Sequence, residues 1–298
     1  MGVKNLNLFL RSVGVTEEWL PYSNFAGKRV AIDAAYLMHR FKAANGNLWD
    51  MLLNNFVVAC VINNKIDMTF VFDGIAPIEK TDELAARASR RAAALLRQQN
   101  IAAAVTNGDE SVIDKCKTSV ARRYNVRADM VTARMVNDYV EHRVRTHQAV
   151  TPEDYDRMRA ILTGFGVPYT FARTEGEMHC VQMVANGQAD LVMTIDTDAI
   201  LVSALHSVPY VLTNFKAGCF RQVSVHEVLE KCHMTPAQFL DFCILLGTDF
   251  NKHIRGIGHV KAQNLIKTHG SIDNMHTVVD TSQLGDYKRV REIFMSYG

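Results

Sequence analysis

Residues 191–198, LVMTIDTD, carry five mostly apolar residues into a pair of carboxylates, Asp196 and Asp198. Two other stretches have the same form. KRVAIDAA (28–35) places Asp33 after Val30, Ala31 and Ile32, and MTFVFDG (68–74) places Asp73 after Phe70, Val71 and Phe72. Short apolar runs of this kind read as strands buried on both faces. The predicted strands are 29–32, 69–72, 168–171, 191–195 and 210–212, with helical periodicity over 48–62, 84–99, 152–165, 175–186 and 236–246. The alternation predicts an α/β fold, a mostly parallel central sheet flanked by helices. In such a sheet the strand C-termini share one edge, and ligands sit in the crevice outside it. Asp33, Asp73, Asp196 and Asp198 then converge there.

Taken singly, each aspartate has an ordinary explanation. Asp73-Gly74 is a common turn, and an aspartate after a strand often caps the next helix. Three such strand ends in one chain point elsewhere, because gathered carboxylates repel one another unless a cation neutralises them. Donors that are all oxygen select Mg2+ or Mn2+ over zinc. Thr174-Glu175-Gly176-Glu177 opens a predicted helix; Thr174 and Glu177 have capping-box spacing, which leaves Glu175 without a role. Asp249, in LLGTDF (245–250), follows another. Seven carboxylates are enough for two hard cations.

The chain has 33 Lys+Arg against 31 Asp+Glu, a formal charge of +2 that by itself suggests no nucleic-acid partner. The distribution is less even. Residues 80–145 hold 13 basic and 8 acidic side chains, a net of +5, so the remainder nets −3. Lys80, Arg87 and Arg91 recur at helical spacing, with Arg90 beside them, and are expected on one helix face. Such a face is usually only solvated, but beside a carboxylate site it can grip a scissile phosphate. A second basic stretch, HIRGIGHVKAQNLIKTHG (253–270), reads helix–GIG–helix. Gly256 and Gly258 let backbone N–H groups approach a phosphate, and Arg255, Lys261 and Lys267 supply charge. A plain helical hairpin with a glycine turn is the alternative.

With 298 residues, 48% hydrophobic and 21% charged, wholesale disorder is excluded and one large or two modest domains are expected. The longest apolar run is seven residues (56–62), far short of the roughly 20 that span a bilayer. The opening residues lack the apolar core of a signal peptide, and Leu6 stands where myristoylation at Gly2 would want Ser or Thr. Six cysteines, no two closer than 11 residues, match neither a zinc spacing nor a disulfide framework; reduced thiols in an intracellular chain are expected.

Together these residues resemble the flap endonuclease family, the structure-specific 5′ nucleases that include XPG-type and exonuclease-1-type enzymes. MGVKNLNLFL resembles the family N-terminus, with Gly2 near the active site once Met1 is removed. Asp33 and Asp73 match its first metal-binding aspartates. FDGIAPIEKTDELAARASRR aligns Lys80 and Arg87 with its catalytic basic pair, VPYTFARTEGE aligns Glu175 and Glu177, TIDTDAI supplies Asp196 and Asp198, and LLGTDF with IRGIG supplies Asp249 and a helix-two-turn-helix. The resemblance implies a PIN-like 5′ nuclease fold forming one domain over 1–298. Its parts would be an N-terminal nuclease region (1–105), a helical arch (80–150), an internal nuclease region (151–250) and the helix-two-turn-helix DNA-binding region (251–298). It also implies two Mg2+ ions, with Mn2+ substituting, and K+ at the helix-two-turn-helix. Asp33, Asp73, Glu175, Glu177, Asp196, Asp198 and Asp249 would be the metal ligands; of these Asp33, Asp73, Glu175 and Asp196, with Lys80 and Arg87, would be catalytic. Gly2, His39, Arg90, Arg91, Arg255, Gly256, Gly258, Lys261 and Lys267 would contact DNA.

The implied activity is hydrolysis of branched or flapped DNA near single-strand/duplex junctions, by a monomer acting in the nucleus or a viral DNA-replication compartment. Three features depart from the pattern. The 84 residues from Arg91 to Glu175 exceed the family spacing by roughly a helical hairpin, implying an enlarged arch. His39 stands in place of a base-stacking aromatic, and no sliding-clamp-binding box is recognisable. Two rival readings are a haloacid-dehalogenase-type phosphatase, from the DxD in MTIDTDAI (193–200), and a DNA-junction-binding module of the same fold without catalysis.

Overall fold

A computed structural model describes residues 2–296, which fall into two compact units. The first comprises residues up to 37, 56–81 and from 159 onward; the second comprises 38–55 and 82–158.

Val30 to Asp33 and Leu191 to Met193 are buried along their whole length, as strands covered on both faces require. They sit at the centre of a seven-stranded sheet in the first unit: β1 (Glu17–Pro21), β2 (Arg29–Asp33), β3 (Asp67–Phe72), β4 (Tyr169–Phe171), β5 (Leu191–Met193), β6 (Tyr210–Lys216) and β7 (Cys219–Ser224), ordered β1-β7-β6-β5-β2-β3-β4. From β6 to β4 every pairing is parallel. The strand order turns outward in both directions from β5 and β2, so the crevice at their C-terminal ends is the switch point where α/β sheets take their ligands. Asp33 ends β2, and Asp196 and Asp198 follow β5.

The five predicted strands all form. Two more do not follow the expected pattern: β7 pairs antiparallel with β6, and β1 pairs antiparallel with β7, making the sheet mixed. The β6–β7 turn is Ala217-Gly218, both at positive φ (50° and 78°), the conformation a two-residue hairpin needs. Ala-Gly is a poor advertisement for it. β1 is an acidic, proline-ended edge strand, Glu17-Glu18-Trp19-Leu20-Pro21, a composition that discourages further pairing.

Pro236–Leu246 forms as predicted, with Thr235 and Gln238 closing a capping box. The expected helix 48–62 is instead an α-helix over Trp49–Val57 followed by a π-turn over Val58–Asn63. The expected 84–99 helix extends over Thr81–Thr106, all but its first residue in the second unit. Gly108 at φ 77° breaks it, and the Asp109 side chain caps the next helix by accepting from Val112 N–H at 3.2 Å. Helices Glu110–Tyr124 and Ala133–Thr146 then close a separate small core of Val105, Val120, Val136 and Val140. Lys42, 5% exposed, is satisfied within the same unit by both Asp154 oxygens at 2.7 and 2.9 Å, and Trp49 Nε1 donates to Asp154 Oδ1 at 2.9 Å. Among the described residues no helix is long and apolar enough to cross a membrane, and all six cysteines are free thiols.

The C-terminal helix Tyr287–Met295 is tied to the first unit by charge. Arg291 donates to both Asp241 oxygens (2.6 and 2.7 Å) and to Asp273 (2.7 Å), while Asp241 Oδ2 also accepts from Ile272 N–H at 2.9 Å. Removing one partner strands the other in a largely dry site. Asp241→Ala is therefore expected to cost about 3 kcal/mol, near the low end for a broken buried pair because Arg291 keeps one edge in water. Urea denaturation measures it; a loss below about 1 kcal/mol would show that the pair adds nothing beyond a surface bridge.

Candidate active site

Each carboxylate is positioned by the backbone that precedes it. Asp33 is the last residue of β2; its Oδ1 accepts from Tyr36 N–H at 3.0 Å and its Oδ2 from the Thr194 hydroxyl at 2.8 Å. Thr194, the one polar residue within the run LVMTI and the first after β5, aims Asp33 from the neighbouring strand's end; its only signal in the sequence is a hydroxyl in an apolar run. Asp73 follows β3 and accepts from Gly176 N–H at 2.8 Å. Glu175 and Glu177 open the helix Gly176–Ala185, with Glu175 at its N-cap position and no side-chain cap, so the capping-box reading of Thr174 is not realised. Asp196 Oδ1 accepts from Asp198 N–H at 3.1 Å.

Close backbone approach completes the cluster. A side chain on Gly2, at φ 78°, would run into Asp196 Oδ1 and lie 2.8 Å from Asp198 Oδ1 and Thr197 Oγ1. A Cβ on Gly176 would lie 3.0 Å from Asp73 Oδ1. Gly2 thus sits against the acidic loop, as expected, while Met1 lies outside the described residues.

Lys80 differs from its expected placement. It ends the short 3-10 turn Ile78–Lys80, one residue before the Thr81–Thr106 helix, so it does not share a helix face with Arg87 and Arg91. Pro77 starts that turn, and the lysine points inward at 5% exposure. Its Nζ bonds Glu175 Oε1, stands 3.1 Å from Asp249 Oδ2 and lies 5.7 Å from the Phe250 ring centroid. Burial alone would lower a lysine; Glu175, Glu177 and Asp249 overcome it and hold the ammonium above its ordinary value.

One ammonium does not balance this set. Burial first, then the charge of Asp73, pushes Asp33 up to about 7. Burial with neighbouring carboxylates pushes Glu177 and Asp198 well above their ordinary values, and burial raises Glu175. Both oxygens of Asp198 and Oε2 of Glu175 are buried without a hydrogen-bond partner. Among the described residues no three acidic, His or Cys side chains are drawn into a closed metal cage. The donor chemistry nonetheless fits hard divalent cations: orphaned buried carboxylate oxygens, no sulfur or imidazole among them, and a lysine ammonium already held there by charge.

The other expected residues lie in two places. His39, Arg87, Arg90 and Arg91 belong to the second unit, where Glu83 pairs with Arg87 at 3.0 Å and Arg90 at 2.8 Å. Burial, then Arg91 and Arg87, lowers His39 to about 4, so its ring is neutral near pH 7. In the first unit, the segment before the helix His259–His269 alternates buried Ile254 and Ile257 with exposed Arg255, Gly256 and Gly258. Gly256 has φ 80°, Gly258 takes the N-cap position without a side chain, and Lys261 and Lys267 are exposed with no ion pair among the described residues. The arrangement offers a phosphate backbone free N–H groups and unpaired cations.

Comparison with known proteins finds the XPG N-terminal domain matched by residues 1–94 and the XPG I-region by residues 166–249. The putative RAD2-like endonuclease 095R of Frog virus 3 (isolate Goorha) is 34% identical, over 98% of this chain and 83% of its own length. Flap endonuclease 1 of Chlamydomonas reinhardtii is 31% identical, over 95% of this chain and 68% of its own. Among solved structures, the catalytic core of Rad2 in complex with DNA substrate has a TM-score of 0.64 at 19% identity, covering 98% of this chain and 75% of that one, a likeness of fold.

The electrostatics generate a stability test. Asp33 has a folded-state value near 7 against an ordinary 3.8, so the folded chain binds its proton more tightly and loses stability as pH rises through 7. A divalent cation competes with that proton. Mg2+ at roughly 100 times its Kd is expected to stabilise by about 2.7 kcal/mol and raise Tm by several degrees. By thermal melts the shift should be larger near pH 8 than near pH 5.5. An equal shift at both pH values would place the cation away from these carboxylates.

Proposed function

The chain belongs to the XPG family of structure-specific nucleases, and on that footing we propose that it hydrolyses phosphodiesters of branched or flapped DNA near the single-strand/duplex junction, with 5′–3′ exonuclease action as well, at a centre of two divalent cations. The observation that carries the reading is a set of buried, mutually repelling carboxylates, Asp33, Asp73, Glu175, Glu177, Asp196 and Asp198, joined by Asp249 through Lys80, which pairs with both Glu175 and Asp249. These seven are the residues assigned to hold Mg2+, with Mn2+ substituting. When bound, such cations supply Lewis acidity and positive charge toward the phosphodiester.

The chain's own groups bind, aim and balance charge. Thr194 and the Tyr36 N–H fix Asp33, and the Gly176 N–H fixes Asp73, so donors do not have to reorganise during reaction. Lys80, paired with Glu175 and Asp249, offsets part of the carboxylate charge and is proposed to turn to a phosphate group once cations take over those carboxylates. Arg87, with Arg90 and Arg91, is proposed to contact phosphate from the helical unit. The neutral ring of His39 suits stacking against a base. The Gly256–Gly258 segment, with Arg255, Lys261 and Lys267, is assigned to duplex backbone, where charge and N–H groups position without reading sequence; K+ at that turn belongs to the same reading. We assign the chain to DNA replication, repair or recombination, acting as a monomer in the nucleus or a viral DNA-replication compartment. The phosphatase reading of residues 193–200 leaves Glu175, Glu177 and the GIG segment idle and is not retained, nor is a non-catalytic module, since clustered carboxylates serve no purpose without a cation.

Asp196→Ala is expected to lower Mg2+-dependent cleavage of a 5′-flap duplex by on the order of 10²–10³, with flap binding in Ca2+ held within a few-fold. Undiminished cleavage would sink the metal assignment. Arg87→Ala should reduce turnover roughly 10²-fold with little change in binding; equal loss in both would make Arg87 an anchor instead. Lys261→Ala and Lys267→Ala should each weaken duplex binding across all sequences and reduce the salt slope by about 1, read from Kd against salt concentration.

A further inference from the structure

The turn that carries Asp249 is held by a residue outside the set of acids. Gly247-Thr248-Asp249-Phe250-Asn251 follows the helix Pro236–Leu246, and Asp249 stands there in neither helix nor strand. Asn251 is half-buried, and its side chain makes four hydrogen bonds. Oδ1 accepts from the Thr248 N–H at 3.2 Å and from the Thr248 hydroxyl at 2.7 Å. Nδ2 donates to Ile244 O at 2.9 Å and to Lys252 O at 2.8 Å. That set uses both lone pairs and both N–H groups of the carboxamide.

These bonds bracket Asp249. The buried Thr248 hydroxyl also accepts from the Phe250 N–H at 3.1 Å, so the residues on both sides of Asp249 are tied to one group. Ile244 O lies in the last helical turn, where carbonyls lack partners within the helix; Gly247 N–H donates to the same oxygen at 3.0 Å. The turn is thereby fastened to the helix end. A Cβ on Gly247 would lie 3.0 Å from His253, which leaves the turn no room to slide. Beyond it, Phe250 packs edge-on against the buried Phe294, their centroids 5.4 Å apart. Gly247 O accepts from Lys4 N–H at 2.9 Å, so the segment that brings Gly2 to Asp196 and Asp198 hangs on the same turn.

We propose that Asn251 is a positioning residue of the cation site, acting through Thr248 to hold Asp249 where a hard divalent ion needs it before the ion arrives. The proposal rests on the nuclease reading above, in which Asp249 is a cation ligand, and adds what keeps it in place. The charge of Asp249 helps to raise both Glu175 and Asp198, so mutual repulsion drives this carboxylate away from the others. Lys80 opposes that drift at 3.1 Å but is shared with Glu175. A turn free to relax would let Asp249 swing out; one fastened to the helix end does not. Hydrogen bonds behind a ligand set its orientation, and their loss costs roughly 10–100-fold in metal affinity or activity.

The test uses the whole chain with Asn251→Ala, Thr248→Val, which deletes the hydroxyl in the same shape, and Thr248→Ser, which keeps it. Mn2+ binding without DNA is measured by calorimetry, cleavage of a 5′-flap duplex against Mg2+ concentration, and binding of a blunt duplex in EDTA. Asn251→Ala and Thr248→Val should each raise the Mn2+ Kd and the half-saturating Mg2+ by about tenfold, with the blunt-duplex Kd held within about twofold. Thr248→Ser should restore wild-type values. If Asn251→Ala does not fold, the contrast between the two Thr248 variants decides alone. An unchanged Mn2+ Kd in Thr248→Val, a loss that Thr248→Ser shares, or equal losses of Mn2+ and duplex binding overturns the positioning role and leaves the nuclease reading in place. Conversely, a wild-type chain that cuts no flap, but whose Mn2+ binding depends on the Thr248 hydroxyl and Asn251, ends the nuclease reading and keeps the positioning role.

Discussion

Mutual repulsion among buried carboxylates is the constraint around which this chain is arranged. Burial and neighbouring charge raise Asp33, Glu177 and Asp198, and the one ammonium among them, Lys80, is already engaged by Glu175 and Asp249. Such a cluster is expensive to assemble from a flexible loop, since each donor would be free to turn away. Here most of the acids stand in a regular element or at its end. Asp33 ends a buried strand, Glu175 and Glu177 begin a helix, and Asp196 and Asp198 are locked by their own backbone hydrogen bonds and by a glycine pressed against them. The surrounding sheet supplies the rigidity that the electrostatics would otherwise undo.

Parallel pairing does the geometric part. Strands in register end at one level, so an acid placed after an apolar run needs no further instruction to meet its counterparts. The antiparallel pair β1–β7 widens the sheet at the far side and contributes none of the seven acids. Charge of the opposite sign is kept elsewhere in the sequence, on the segment from Arg255 to Lys267 and in the helical unit. The near-zero total is therefore a cancellation between groups suited to cations and groups suited to phosphates.

Much of this was legible from residues alone, for a physical reason: a fully buried strand must be apolar, so the acid that ends it stands out. Asp33, Asp73, Asp196 and Asp198 were visible that way. β7 was not, because Cys219-Phe220-Arg221-Gln222-Val223-Ser224 is half polar and its turn is Ala-Gly instead of a stronger hairpin signal. Lys80 stands out in the sequence, yet it lies one residue before the helix its spacing suggests. Its spacing from Arg87 and Arg91 is helical, but the helix begins at Thr81, and the pull of three carboxylates decides where the ammonium goes. Thr194 and Gly176 carry no such signal, because the contribution of each is a single hydrogen bond between segments distant in sequence.

The four valines that Val105, Val120, Val136 and Val140 contribute to their own small core have a consequence for how such a chain can diverge. A block that buries its apolar side chains among themselves answers to its own selection. Residues within it other than those assigned to the substrate, such as Arg87, can be exchanged, lengthened or trimmed so long as that quartet stays packed. Inheritance can then rework the block as a cassette, with the chemistry beside Lys80 passed on unaltered.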